Sequence, residues 1–540
     1  MNDIPVEQMT SAIDETKARY DDLPYSSYAY LHSAPEQLAA VATLFGLPGP
    51  DVATSRVLEL GCASGGNLIP FALRHPAAKA TGLDISGVQI DEGRDYIARL
   101  DVDNVVLDQA DFLQVDPAKL GEFDYIIAHG VYSWISPAAQ EAVLEIIGRC
   151  LSPSGVAFVS YNTYPGWKAK EILRDAMLMH AGAGRSPSEQ VAYGRSMLAF
   201  LQNTSLKTGA TAAALSENLA QILRSPASYM AHDYLEPFNL PCYFGEFLER
   251  TGKHGLAYLA EAQPSMMMPS NYGQELSRQL YGALGDDQVR VEQYLDFAIS
   301  RSFRQTLLVR SERAAALRWQ LDEKAASELN FAAHLYCKDG PVRFDGQPQE
   351  FATPSHSANL TVGLSGLKSA IGLLEHRWPG TATRDELMRH AQLNQGDAGA
   401  VAPEILADAV GELLEMLVLR GMARIRLTPV NACTDIDDLA VDPVVRRQVA
   451  ATVPAQTHVA NAWHDSVDIG EAERLLLPMM DGSVDRSMLV DTIAGALRDG
   501  RLQRPDDAGN VSDPAAQAET MVATILQRMR EAAVFVRQPD

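Results

Sequence analysis

Residues 57–73, VLELGCASGGNLIPFAL, pass from an apolar strand-like run through a glycine cluster into an amphipathic helix, and their reading decides the fold. The glycines can be framed in two ways. Gly61-x-Ala63-x-x-Gly66 approaches a dinucleotide fingerprint, whereas Glu59-x-Gly61-x-Ala63-x-Gly65 approaches an S-adenosylmethionine loop. Both framings meet alanine where glycine is expected, so the loop alone does not choose between them.

The surrounding sequence supplies the context. Apolar runs at 55–61, 78–86, 103–112, 123–131 and 155–162 alternate with helical patterns such as SGVQIDEGRDYIARL and SPAAQEAVLEIIGRCL. That alternation predicts a parallel sheet covered on both faces, with ligands at the carboxyl ends of its strands. Asp84, ending the second run, is placed to hold ribose hydroxyls and suits either cofactor. The third run separates them. Asp111 and Phe112 stand where an acid for an adenine amino group and an apolar neighbour for its ring are wanted, a need nicotinamide enzymes lack. Glu59 points the same way, since a carboxylate so close to a pyrophosphate would repel it, but it can accept from a methionyl ammonium. Ala63 is then tolerable because a methionine tail is slimmer than a pyrophosphate. Gly61 and Gly65 serve the turn, and Asn67 either caps the next helix or touches the amino-acid end. The expected cofactor set is Glu59, Gly61, Cys62, Ala63, Gly65, Asn67, Asp84, Ile85, Asp111, Phe112 and His129, with no metal, because the 12 histidines show no ligand spacing.

Methyl transfer needs positioning and desolvation of an acceptor. Aromatic clusters after the fourth and fifth runs and near the N-terminus are the candidates: His129, Tyr132 and Trp134; Tyr161, Asn162 and Trp167; and Tyr25, Tyr28 and Tyr30. From these, Tyr25, Tyr28, His129, Trp134, Tyr161 and Asn162 form the expected catalytic set, His129 either assisting deprotonation or contacting the cofactor. An Asn-Pro-Pro-Tyr motif for base methylation and a carboxylate cluster for catechol chemistry are absent from the expected positions.

Length and composition bound the rest. The 540 residues predict two to four domains, and 46% hydrophobic residues suffice for sizeable cores. A net charge of -24 disfavours nucleic acid and suits basic partners. Five scattered cysteines without a CxxC pair predict reduced thiols in a cytoplasmic protein, and neither a signal peptide nor a membrane span is expected. Residues 168–232 read as helices, and strand candidates at 254–262 and 303–311 are expected to close the sheet as an antiparallel pair. Further on, Gly380, Thr381, Arg384 and Leu387 repeat as Gly482, Ser483, Arg486 and Leu489. Each copy sits between helices and leads to an extended segment, the layout of a winged helix, with residues 504–517 a loop inside the second. The mixed charge of these modules favours protein contacts.

The segments LPYSSYAYLHSAP, LELGCASGGNLIPFA, GLDIS, FDYIIAHGVYSWI and SYNTYPGW, with residues 231–262 and 293–312, together resemble bacterial class I methyltransferases carrying a methyltransferase regulatory domain. The best described are rickettsial protein lysine methyltransferases acting on outer membrane protein B. The resemblance covers most of residues 20–312. It implies an S-adenosylmethionine cofactor, a lysine acceptor on a protein, lysine-rich in keeping with the acidic surface, and a homodimer. His232, Glu236 and Asn239 in the regulatory segment are expected to be caps and turn formers. The expected architecture is α/β: a Rossmann-like class I methyltransferase core with N-terminal lid (1–182), a helical regulatory insertion (183–312), and an α+β C-terminal part of tandem winged-helix-like modules (313–432 and 433–540). Two alternatives stand beside it: a small-molecule N- or O-methyltransferase, and a non-catalytic S-adenosylmethionine-binding regulator.

Overall fold

The computed structural model describes residues 27–182, 184–204, 210–319, 323–355, 358–395, 401–434, 436, 440–503 and 513–537. Strands β1 (Arg56–Leu60), β2 (Lys79–Asp84), β3 (Val105–Gln109), β4 (Phe123–Ala128), β5 (Leu151–Asn162), β6 (Leu256–Glu261) and β7 (Phe303–Arg310) form one sheet in the order β3-β2-β1-β4-β5-β7-β6. β1 to β5 pair in parallel, because helices return the chain between them. Tyr125, Ile126 and Ile127 of β4 are wholly buried, as expected of a central strand covered on both faces. The order reverses beside β1, which leaves a crevice over the carboxyl ends of β1 and β4.

The later strand candidates are β6 and β7. β7 runs antiparallel to both β5 and β6 and so completes the sheet. Charge chemistry locks this edge. Arg304 on β7 is fully buried and bonds to Glu261 at 2.6 Å, Glu292 at 2.9 Å and Asp296 at 2.8 Å. Arg301 adds a bond of 2.6 Å to Asp296, so helix Gln288–Ile299 is fastened across the strands. Burial raises the Glu292 carboxyl, and the Arg304 charge opposes that rise. Between β5 and β6 lie the helices Trp167–Ala181, Pro187–Thr204, Ala210–Arg224, Ala227–Tyr234 and Phe244–Lys253.

The two C-terminal modules repeat one device. Thr383 caps helix Arg384–Leu393 and Asp485 caps helix Arg486–Arg498, each just before the matched arginine. Leu387 and Leu489, the matched leucines, are wholly buried. Gly380 is required where it stands, since a Cβ there would lie 2.6 Å from the Ala432 carbonyl oxygen.

Neither module hangs free of the sheet. A single hydrophobic core runs from Leu38 and Val57 through Phe331 to Leu387 and Leu414, so the chain's interior is continuous across the expected division at 312. The second module has its own core around Leu476, Leu489 and Leu526. Its helix Pro443–Ala451 seats on the sheet's helices through Arg74–Asp442 at 3.0 Å and through Arg447 donating to the Leu100 and Asp101 carbonyls. Among the described residues, no helix is long and apolar enough to cross a membrane.

Candidate active site

The loop after β1 is built by its backbone. Gly61 has φ +79°, and a Cβ there would fall 2.1 Å from Val131 Cγ2, so no other residue fits. Its amide donates to the Leu83 carbonyl at 2.7 Å, tying the loop to the end of β2. Ala63 adopts φ +50°, a left-handed conformation costing a non-glycine roughly 1–2 kcal/mol. Its amide donates to Asp84 Oδ2 at 2.8 Å, and the Ser86 amide donates to Oδ1 at 2.9 Å. The unusual feature of Ala63 is therefore backbone strain rather than room for a slim ligand. Asp84 is fixed by these two donors while lining the cavity, and a carboxylate accepts about four bonds, so ligand hydroxyls can join. Gly65, at φ +78°, faces Ile69 and Leu107 beneath the loop and serves the turn without lining the cavity. Gly66 lets the N-terminal segment close over the loop: a Cβ there would stand 2.4 Å from the Ser27 carbonyl oxygen, and its amide donates to Ser27 Oγ at 2.8 Å.

Glu59 is the most informative side chain. It is 4% exposed, and its Oε1 accepts from Asn67 Nδ2 at 3.0 Å. Its buried Oε2 accepts no hydrogen bond from the described residues. Burial pushes its carboxyl up to about 8, the Asn67 bond opposes that rise, and the nearby Asp84 charge adds to it. An orphaned acceptor in a cavity wall calls for a donor, ideally a cation. Asn67 does not cap its helix with its side chain. Its Oδ1 instead accepts from the Tyr30 amide at 3.2 Å and from His464 Nε2 at 2.9 Å. His464 belongs to the second C-terminal module, in the turn joining strands His458–Ala460 and Ser466–Asp468. Burial lowers its pKa to about 4, so it is neutral and its Nε2 carries the proton it gives Asn67. The distant module thus steadies the residue that steadies Glu59. No local pattern announces this contact across 397 positions.

One cavity of about 420 Å³ gathers most of the expected residues. Glu59, Gly61, Cys62, Ala63, Asn67, Asp84, Ile85, Asp111, Phe112, His129, Tyr28, Trp134 and Asn162 all line it. Asp111 also caps its own short turn, accepting from the Leu113 amide at 3.0 Å. Tyr28 packs edge-on against His458, ring centres 4.5 Å apart, a second touch from the C-terminal module. His129 lies 4.1 Å from the Tyr30 ring, and burial holds its pKa near 4. Such an imidazole is a poor proton acceptor near neutrality, so His129 suits a contact role rather than deprotonation.

One expected catalytic residue stands apart. Tyr161 does not reach the cavity. Alternation along β5 turns Asn162 toward it and Tyr161 to the opposite face, where its ring stacks on Phe247 at 4.1 Å and its hydroxyl accepts from Thr306 at 3.3 Å. Tyr25 lies outside the described residues.

The cavity also extends where the sequence reading did not place it. Beyond the expected Trp167, the residues Lys170, Tyr229, His232, Asp233, Phe238 and Phe303 form its far wall. His232, expected as a turn former, faces the cavity, with Nδ1 3.0 Å from Glu236 Oε1 behind it. Asn239 accepts from Asn162 Nδ2 at 3.1 Å. Of these residues, His232, Asp233 and Phe238 fall in the family-like segment from 231, and Phe303 falls in that from 293.

Comparison with known proteins agrees with this geometry. Three family models match in chain order: a methyltransferase domain at residues 57–155, a predicted methyltransferase regulatory domain at 226–310, and a PKMT C-terminal winged helix domain at 440–534. An uncharacterized protein of Rickettsia prowazekii is 30% identical over 89% of this chain and 87% of its own length. The structure of PKMT2 from Rickettsia typhi, also solved in complex with AdoHcy, superposes with a TM-score of 0.82 at 26% identity, covering 95% of this chain and 100% of that one.

Proposed function

The chain belongs to the S-adenosylmethionine-dependent methyltransferases built with this regulatory domain and a C-terminal PKMT winged helix domain, and from that premise we propose that it methylates lysine ε-amino groups of a protein. When bound, S-adenosylmethionine supplies an electrophilic methyl group on a sulfonium. The chain's own residues do the rest. Asp84, pinned by the Ala63 and Ser86 amides, is ready to hold ribose hydroxyls. Glu59 offers its unsatisfied oxygen to the methionyl ammonium, and Asp111 with Phe112 bound the adenine end. Segment 27–34 and the hairpin carrying His464 exclude water from the loop side.

The observation that carries the acceptor reading is the cavity's continuation past the cofactor loop into an aromatic wall, Trp134 against Trp167 at 6.1 Å with Tyr229, Phe238 and Phe303. Such a wall takes an aliphatic stem and its cationic head together. The likeness to PKMT2 supports the same reading, as does the acidic surface facing a lysine-rich target in solution. The test is incubation with methyl-labelled cofactor and a mixed pool of protein and metabolite acceptors, followed by amino-acid analysis. Label on lysine in protein is the expected result. Label confined to small molecules refutes the lysine reading, and cofactor binding without any turnover makes the chain a regulator.

A further inference from the structure

We propose that Asp233 and the aromatic wall around it form the acceptor half of the active site, Asp233 receiving the alkylammonium of the acceptor and taking the proton that leaves before transfer. The inference deepens the methyl-transfer reading and rests on it. Asp233 belongs to helix Ala227–Tyr234, inside the regulatory segment, yet lines the same cavity as Glu59 and Asp84. The segment is therefore half of the reaction chamber rather than an appendage to it.

The surroundings of Asp233 suit a cation. Tyr229, one turn back on its own helix, gives its carboxylate a hydrogen bond. His232, on the same helix, is held by Glu236 at 3.0 Å. From the facing helix Trp167–Ala181 comes Lys170, whose ammonium lies 5.3 Å from the Trp167 ring centre and 3.4 Å from Ser302 Oγ. Lys170 shows that this wall accommodates a primary amine on an aliphatic stem. Burial lowers the pKa of Lys170, and the same burial acts on any amine entering beside it. Burial raises the Asp233 carboxyl to about 6, closer to the match a proton acceptor needs near neutrality than an ordinary aspartate offers.

The step balances. The acceptor ammonium gives one proton to Asp233. The neutral nitrogen then forms its bond to the methyl carbon as the carbon–sulfur bond breaks, and the sulfur keeps that electron pair. The positive charge passes from sulfonium to methylated nitrogen, and Asp233 returns its proton to solvent.

The experiment uses the full chain saturated with S-adenosylhomocysteine and titrated calorimetrically with a short lysine peptide, beside transfer kinetics and peptide mapping. For Asp233→Asn, unchanged affinity for S-adenosylhomocysteine is expected, with peptide affinity weakened ~10-fold or more and transfer slowed ~100-fold or more. Asp233→Glu should recover part of both. Tyr229→Phe, which removes a bond favouring the ionised carboxyl, should move the acid limb of kcat to higher pH, a shift that loss of packing alone does not produce. Asp233→Asn with normal peptide binding and rate would overturn the inference while leaving methyl transfer standing. So would methyl groups found on Lys170 itself, making that side chain the acceptor. A wild-type chain that fails to bind S-adenosylhomocysteine overturns both readings.

Discussion

Replacing Glu59 with glutamine should change how many protons move when the cofactor binds. The carboxyl ionises at about 8, and an α-amino group ionises at ~7.7–8.0. At pH 7 each is therefore ~90% protonated, and the bound pair keeps one proton between them, so binding releases ~0.8 proton. The sign follows. Below pH 8 affinity rises with pH because Glu59 must lose a proton, and above it affinity falls because the amine must regain one. With glutamine the release at pH 7 gives way to an uptake of ~0.1 proton, and only the alkaline limb survives. Losing a charge-paired buried bond costs ~2–5 kcal/mol, but at pH 7 the wild type already spends ~1.4 kcal/mol ionising the carboxyl. The net loss is ~0.6–3.6 kcal/mol, about 3- to 400-fold in Kd. Calorimetry of S-adenosylhomocysteine binding at pH 7, repeated in buffers of different ionisation enthalpy, measures the proton count directly. Equal release from both proteins would refute the assignment of Glu59 to the ammonium, whatever happens to affinity.

Other perturbations reach different parts of the structure. Asp84→Ala removes the acceptor pinned by the Ala63 and Ser86 amides and should abolish calorimetrically detectable cofactor binding. His464→Ala breaks the 2.9 Å bond to Asn67 and should weaken cofactor binding ~2- to 10-fold, the ~0.5–1.5 kcal/mol of one hydrogen bond, although it lies in the C-terminal module; unchanged affinity would show that the hairpin does not steady the loop. Arg304→Met strands Glu261, Glu292 and Asp296 in the core and should cost ~3–5 kcal/mol in urea unfolding. Tyr161→Phe removes a hydroxyl that meets Thr306 away from the cavity and should leave kcat within about twofold and cost ~1 kcal/mol of stability; a large fall in kcat would return Tyr161 to the chemistry.

What could be read from the chain was whatever depends on neighbours along it. The glycine loop, Asp84 and Asp111 lie just after successive strands, and a parallel sheet brings successive strand ends to one edge, so their order in sequence implied their convergence. Glu59 was legible as well, since a carboxylate just before the glycines would repel a pyrophosphate yet can accept from an ammonium. The repeat of Gly380 to Leu387 at Gly482 to Leu489 marked two modules because each helix start needs its own cap and buried leucine. Tyr161 and Asn162 were not separable from sequence. Both are polar-tipped and adjacent, and alternation states that they face opposite ways without saying which face holds the cavity. Asp233 and His232 read as ordinary helix residues until the helix Ala227–Tyr234 is folded against the sheet's crevice. His464 meets Asn67 only because the second module seats on the sheet's helices. Sequence pattern encodes local geometry and the order of strands; which distant side chain fills an unsatisfied polar position depends on how whole domains pack. For this protein the sequence determined which residues gather around the glycine loop, and the tertiary structure decided the far wall of their cavity and the C-terminal support behind the loop.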